Sequence, residues 1–152
     1  MRFKMATSSA RSNPYASPKT KKVDVRLFSM KQIGIASFLG SALAGMTLVS
    51  INNFRLGKSL LAFLSIVIGI AIFGIVFAVG MVLPLPGVIY GAVQMAASVG
   101  IAKTMFEKQY EENQAENIPN ESGWVVGGVT VAWIAVIAAA IYTILTYMEI
   151  FS

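Results

Sequence analysis

Long apolar stretches alternate with short polar ones along this chain, and two of the apolar stretches set its class. Residues 60–83 and 124–148 contain no charged residue and no proline. A helix rises ~1.5 Å per residue, so about 20 apolar residues cross a hydrocarbon core of ~30 Å. Neither stretch carries the polar stripe that a soluble core helix presents to water. The pattern therefore predicts an integral membrane protein.

Two further apolar stretches, 33–51 and 87–106, are diluted by small and polar residues. Ser29 and Gln32 fit a capping box, which starts the first helix near Met30. Prolines 84 and 86 force a turn between the second and third stretches, because proline cannot continue a helix. The predicted fold is an all-α integral membrane protein. It is a bundle of four hydrophobic helices at about 30–51, 60–83, 87–116 and 123–149.

The first segment, 33–51, has two interpretations. If it spans, the eight Lys and Arg of residues 1–31 lie on one side, and Arg55, Lys58, Lys103 and Lys108 lie on the other. If it dips in and returns, all twelve basic residues lie on one side, which the positive-inside rule favours. The length of the segment favours a span, since most apolar stretches of this size cross. We favour four spans and keep re-entry as the alternative.

The N-terminal residues, 1–28, are rich in Ser, Lys, Arg and Pro, a composition that does not bury enough apolar surface to fold. We predict a disordered basic tail there and a membrane domain over 29–152. The basic residues concentrate near this end, which predicts a cytoplasmic N-terminus. The same bias accounts for the net charge of +5, so no nucleic-acid partner is expected.

Composition limits the chemistry available to the chain. Charged residues make up 12% of it, whereas soluble domains carry about 25%. It has no cysteine and no histidine, so disulfides, thiolate metal ligands, thiol nucleophiles and the commonest general base are missing. We therefore predict no enzymatic activity, no catalytic residue, no cofactor and no metal site.

Small residues recur at four-residue spacing in three of the four segments. Helices pack closely in membranes where small side chains let backbones approach. The pattern favours packing within one chain, and homo-oligomerisation is the alternative. The predicted helix-packing residues are Gly40, Ala44, Gly45, Gly87, Gly91, Gly100 and Gly127.

Polar residues line one face of the third segment. Tyr90, Gln94 and Ser98 are each one helical turn apart, so they share that face. Hydrogen bonding between helices is the simpler interpretation, and a solute path is the alternative. Lys103 is the candidate for an ionisable group at depth, but it lies near the segment end and can reach the interface. Proton coupling through buried carboxylates is therefore not expected.

Residues 28–58 resemble a pattern found in small multi-pass membrane proteins of bacteria. The resemblance is carried by the apolar, small-residue run from Phe28 to Gly45 and by the basic loop from Asn53 to Lys58. Ser41 and Ala42 stand where the family has Gly-Pro, so the resemblance does not by itself predict a break in this segment. The resemblance implies a bacterial inner-membrane setting and transfers no functional residue.

The predicted function is non-enzymatic. We predict an accessory or assembly protein, or an immunity-like protein of the membrane. It would act by helix packing and by its acidic connection at 107–121. Its partners would be the lipid bilayer and either another protein or a second copy. The alternative is an oligomeric channel or facilitator for a small solute.

Overall fold

The structure, a computed structural model, describes residues 25–151, with side chains as far as residue 148. This part of the chain contains four helices and no strand. They are α1 (Met30–Arg55), α2 (Ser59–Val82), α3 (Gly87–Ala115) and α4 (Gly123–Phe151). Each is long and apolar enough to cross a membrane. The predicted all-α class with four hydrophobic helices is confirmed.

Helix α1 begins where the capping box predicts. The Ser29 hydroxyl accepts from the Gln32 backbone N–H at 3.2 Å, and the Gln32 side chain accepts from the Ser29 backbone N–H at 2.8 Å. Both halves of the motif are formed, so this prediction is confirmed. Gln32 also donates through Nε2 to the carbonyl of Glu121 at 2.8 Å, which ties the start of α1 to the connection before α4.

Helix α1 is a hairpin of two arms. Ser41 has φ 75° and ψ 169°, which interrupts the helix between residues 30–40 (the first arm) and 42–55 (the second arm). Before the first arm, Phe28 exchanges two hydrogen bonds with Asn52 of the second: Phe28 N–H donates to Oδ1 at 2.8 Å, and Nδ2 donates to the Phe28 carbonyl at 3.0 Å. In a straight helix, 24 residues would separate these groups by about 36 Å. The chain therefore doubles back at Ser41.

This hairpin corrects the preference for a spanning first segment. Residues 33–51 have the length and apolarity of a span, but their two ends lie at the same end of the bundle. A buried hydrogen-bonded pair closes the open end of the hairpin, and the helix breaks at its tip. The second interpretation, re-entry, is therefore the correct one. Irregular backbone at membrane depth is tolerated where protein covers it, and three helices cover this tip.

The hairpin is the centre of the bundle. It packs against α2, α3 and α4, and α2 also touches α3, whereas α4 rests on α1 alone. In the most apolar stretch of α1 61% of residues are buried, against 17% or fewer in the other helices. The outer helices instead expose large apolar side chains, such as Phe63, Val88 and Ile144, as lipid-facing helices do. Helix α1 therefore forms the buried core of the bundle, and α2, α3 and α4 surround it.

One end of the bundle, the basal end, gathers residues 25–29, the 56–58 loop and the 107–122 segment. The Arg55 guanidinium pairs with the Glu121 carboxylate, donates to the Arg26 carbonyl at 2.8 Å and lies 5.4 Å from the Phe28 ring centroid. The Ser122 backbone N–H and then Arg55 lower the pKa of Glu121, because both stabilise its charged form.

The distal end holds the tight turn at 83–86. Tyr90 donates its hydroxyl to the Leu83 carbonyl and accepts from the Leu85 N–H at 3.3 Å, which fixes the turn to α3. Helix α3 then crosses to the basal end, where Phe106 (φ −151°, ψ 18°) breaks it. The remaining turns, residues 107–115 (the α3 tail), pack on the hairpin base, where Asn113 donates to the Val25 carbonyl at 2.8 Å.

The predicted basic tail, 1–28, falls mostly outside the described residues, which begin at 25. Within its last four residues the chain is packed, since Leu27 and Phe28 are almost completely buried. Their apolar side chains seal the basal end of the hairpin, so the membrane domain includes them.

Candidate functional site at the hairpin tip

The tip of the hairpin lies deep in the apolar layer. Gln94 of α3 accepts a 2.5 Å hydrogen bond through Oε1 from the backbone N–H of Ala42, the first residue of the second arm. Gln94 is seven residues from the start of α3 and twelve from its break at Phe106, or about 10 and 18 Å along the helix. The break at Ser41 is therefore near mid-height of the bundle.

Gln94 acts as the cap of the second arm. The first N–H groups of a helix have no partner within it, and one left bare in a membrane costs several kcal/mol. Gln94 satisfies Ala42, and the Ser41 hydroxyl accepts weakly from Leu43 N–H at 3.3 Å. The left-handed φ of Ser41 is held because both neighbouring arms are packed around it.

Two buried hydroxyls accompany this cap. Ser37 and Ser98 are each 0% exposed, and neither Oγ has a hydrogen-bond partner in the described part of the chain. Ser98 lies one turn from Gln94 toward the basal end on the same face of α3. Ser37 lies between the two arms, since a Cβ built at Gly45 would stand 1.7 Å from its Oγ.

Asn53 extends this polar set to the basal end. Its Nδ2 donates to Ser65 Oγ at 3.2 Å and to the Met105 sulfur at 3.3 Å, and its Oδ1 has no partner among the described residues. The sequence places Asn53 in the basic loop after the first apolar segment, whereas the structure places it inside α1 with no exposed surface.

A cavity connects the tip to the distal end. It lies between α2 and α3 and has a volume of about 290 Å³. Its lining includes Tyr90 and Gln94 of α3, opposite Phe73, Phe77, Gly80 and Met81 of α2. Met81 is one residue from the end of α2, so the cavity runs from the distal turn to the Gln94 cap. Two of the three residues of the predicted polar path, Tyr90 and Gln94, therefore share one cavity, and Ser98 lies beyond it.

The cavity reaches the hairpin at Gln94, the lining residue whose Oε1 accepts from Ala42 N–H. A second cavity of about 390 Å³ lies between α2 and α4 beside Leu43 of the second arm, and it shares Phe73 and Phe77 with the first cavity. Its lining, which includes Phe77, Trp133 and Ile144, is apolar. Tyr90 and Gln94 line the α2–α3 cavity and not this second one.

The predicted packing residues divide into two groups. A Cβ built at Gly40 would meet Thr130 Cγ2 at 2.9 Å, and one at Gly91 would meet Phe38 Cδ2 at 3.1 Å. Gly45 is closer still to its neighbour, as described above, and Ala44 is fully buried. At the other three predicted glycines, no atom of the described residues lies within 4 Å of a built Cβ: Gly87, Gly100 and Gly127.

Charged groups are excluded from the tip. Among the described residues, Lys103 is the basic residue placed furthest inside α3, and it is exposed two to three turns from Gln94. The acidic residues at 107–121 lie at the basal end, and no three His, Cys, Asp or Glu side chains of the described chain come together as metal ligands. The tip can therefore hydrogen-bond a neutral polar group but offers no ionisable partner.

Comparison with known proteins gives the chain no relative. No family model matches it, and neither a curated protein nor a solved structure is significantly similar to it.

Proposed function

We propose that this protein is a passive, non-enzymatic facilitator that lets a small uncharged solute cross a bacterial inner membrane. The observation that carries the proposal is the broken hairpin, whose tip meets a polar glutamine at mid-height of the bundle. Broken helices at this depth are typical of membrane proteins that bind or pass solutes, because the interruption brings backbone polar groups to the centre of the bilayer.

The polar atoms along the hairpin support a route through the protein. The cavity with Tyr90 and Gln94 leads from the distal end to the tip. Beyond it, the buried oxygens of Ser98, Ser37 and Asn53 lack partners within the described chain. Buried polar atoms are normally satisfied by protein or water, so these oxygens are the groups with which a passing solute would form hydrogen bonds.

The solute would be uncharged. A charge at the centre of a bilayer costs about 3 kcal/mol or more, and proteins that move ions place ionisable or strongly coordinating groups there. The described residues around the tip are serines, a threonine, a glutamine and apolar side chains. Hydroxyl and amide groups suit water, a polyol or an amide, and no coupling ion is needed for such passive movement.

The test is solute flux into vesicles that contain the purified protein. Stopped-flow light scattering would compare water, glycerol and urea with protein-free vesicles, and we expect faster entry of at least one of them. Ser98→Ala should slow this entry severalfold without loss of stability, because the hydroxyl it removes has no protein partner. Thr143→Val, on the exposed face of α4, is the matched control and should leave flux unchanged. Entry equal to that of protein-free vesicles for all three solutes would refute the proposal.

The orientation proposed with this function places the basal end, and with it the N-terminus, in the cytoplasm. The six basic residues of the described chain all lie toward that end, and the positive-inside rule assigns such a surface to the cytoplasm. They are Arg26, Lys31, Arg55, Lys58, Lys103 and Lys108. The distal turn, which carries no charge, then faces outward.

An accessory or assembly role is the second candidate, and the α3 tail favours it. Glu107 and Glu111 are exposed there and form no ion pair in the described part of the chain. Such carboxylates would suit a partner protein with a basic surface. Changing both to glutamine should release that partner and leave solute flux unchanged, whereas Ser98→Ala should do the reverse. The two roles are therefore separable in one set of variants.

A further inference from the structure

A shallow apolar groove runs along the seam between the first arm of the hairpin and α3. It has a volume of about 310 Å³ and is lined by Phe38 on the arm and by Ala92, Met95, Ala96 and Val99 on α3. Gly34 of the first arm lies against two of these lining residues, since a built Cβ there would meet Val99 at 3.2 Å and Met95 at 3.4 Å. The first arm and α3 are therefore in close contact along the seam, and the groove lies over this contact.

Two lysines stand at the basal end of this groove. Lys31 shares a face of the first arm with Gly34 and Phe38, at spacings of three and seven residues. Lys103 follows Val99 by one turn on the groove face of α3. The arm and α3 run antiparallel, since Gly34 meets Met95 and Val99 while Phe38 meets Gly91. One turn toward the basal end from Gly34 and from Val99 thus brings both lysines to the same level.

Neither lysine is used by the fold. Both are exposed, and neither forms a salt bridge or a hydrogen bond with another residue of the described chain. The nearest acid along α3, Glu107, lies past the break at Phe106. The other basal cations differ in this respect, because Arg55 pairs with Glu121 and the Lys58 ammonium donates to Gln109 at 3.3 Å.

The length of the groove matches one leaflet of a bilayer. From Lys103 to Ala92 is eleven residues of helix, or about 16 Å. Half of a hydrocarbon core of ~30 Å is about 15 Å. A chain that begins at the level of the lysines and follows the groove would end beside Phe38, at the depth of the hairpin tip.

We propose that this groove is a binding site for one anionic phospholipid. The phosphate group binds between the ammonium groups of Lys31 and Lys103, and one acyl chain lies over Ala96 toward Phe38. The bound lipid covers the seam that holds the first arm against α3, so it stabilises the hairpin from outside. This site is independent of the solute route, which lies inside the bundle.

The test is lipid retention by the full-length protein. Protein purified from vesicles of equal phosphatidylglycerol and phosphatidylcholine would be analysed by native mass spectrometry for bound lipid. We expect phosphatidylglycerol to be retained preferentially. Changing Lys31 and Lys103 to glutamine should lower that preference about fivefold for each lysine, the equivalent of ~1 kcal/mol per cation at a membrane surface. Both positions are exposed, so the variants should fold as the wild type does.

Two controls distinguish lipid binding at this groove from a general electrostatic attraction of anionic lipid to the protein. Lys108→Gln removes an exposed lysine on the α3 tail, outside the groove, and should leave the preference unchanged. Ala96→Phe fills the groove and should reduce retention of both lipids, whereas Ala139→Phe on the exposed face of α4 should not. Equal retention of the two lipids by the wild type would overturn the proposal, as would an equal effect of Lys108→Gln and Lys103→Gln. An Ala96→Phe variant that retains lipid normally would also overturn it.

Discussion

Substitution of Gly45 by alanine tests the hairpin directly. Gly45 lies in the second arm, and a Cβ there would stand 1.7 Å from Ser37 Oγ, 2.9 Å from Ser37 Cβ and 3.1 Å from the Ile33 carbonyl oxygen of the first arm. The serine and the backbone of the first arm must therefore move. We expect the two arms to separate locally, because a packed interior has no room for the added methyl group.

The size of the effect follows from a matched glycine. Overpacking a core typically costs ~1–3 kcal/mol, while Gly→Ala inside a helix gains up to ~1 kcal/mol of helix propensity. Gly74, in the middle of α2, has nothing within 4 Å of a built Cβ, so Gly74→Ala brings the propensity gain alone. The free energy of unfolding of Gly45→Ala should therefore lie ~1–3 kcal/mol below that of Gly74→Ala.

The measurement is equilibrium unfolding by SDS titration in mixed micelles, followed by the fluorescence of Trp133. This indole N–H donates to Thr47 Oγ1 of the second arm at 2.9 Å, so its emission reports on the hairpin. A Trp124→Phe background removes the other tryptophan, which is 91% exposed.

A double variant provides the decisive comparison. Ser37→Gly removes both side-chain atoms nearest the new methyl group, so it should recover at least ~1 kcal/mol of the Gly45→Ala loss. In a continuous helix, residues 37 and 45 would be about 12 Å apart, and changes at that distance add within ~0.5 kcal/mol. Additive effects, or a Gly45→Ala variant as stable as Gly74→Ala, would refute the hairpin.

Three further outcomes follow from the structure. Single cysteines in place of Arg26 and Lys58 should react with an impermeant thiol reagent from the same side of the membrane, and one at Leu85 from the opposite side; reaction of the first two from different sides would mean that α1 spans. Because the pKa of folded Glu121 is lowered, its stabilisation is present above the pKa of an unfolded glutamate and is lost as the pH falls through the folded pKa. SDS unfolding from pH 7 to pH 3 should show this loss, and Glu121→Gln should weaken that dependence. Gln94→Ala should lower the free energy of unfolding by ~1–3 kcal/mol because it leaves a buried N–H without an acceptor, and an unchanged unfolding curve would contradict its role as a cap.

The candidate site could be predicted from the sequence only in part. The four-residue spacing of Tyr90, Gln94 and Ser98 places them on one face of α3, and the structure buries Gln94 and Ser98 of that face. What Gln94 bonds to could not be predicted, since its partner, the N–H of Ala42, is 52 residues away and is free only because the helix breaks at Ser41. The same holds for the small residues, whose spacing does not say which of them face another helix.

The sequence by itself determined the membrane class, the number of apolar helices and the ends that carry a local signal, whereas α1 continues to Arg55, past its predicted end at 51. These are local properties: hydropathy follows composition, the capping box at Ser29 starts α1, and prolines 84 and 86 end α2. Only the tertiary structure decided the path of the first segment. Residues 33–51 are long enough to span the membrane, but many of their side chains are small enough for the segment to fold back on itself. The hydrogen bonds between Phe28 and Asn52 and between Ala42 and Gln94 settle that choice, and they join residues that no local pattern connects.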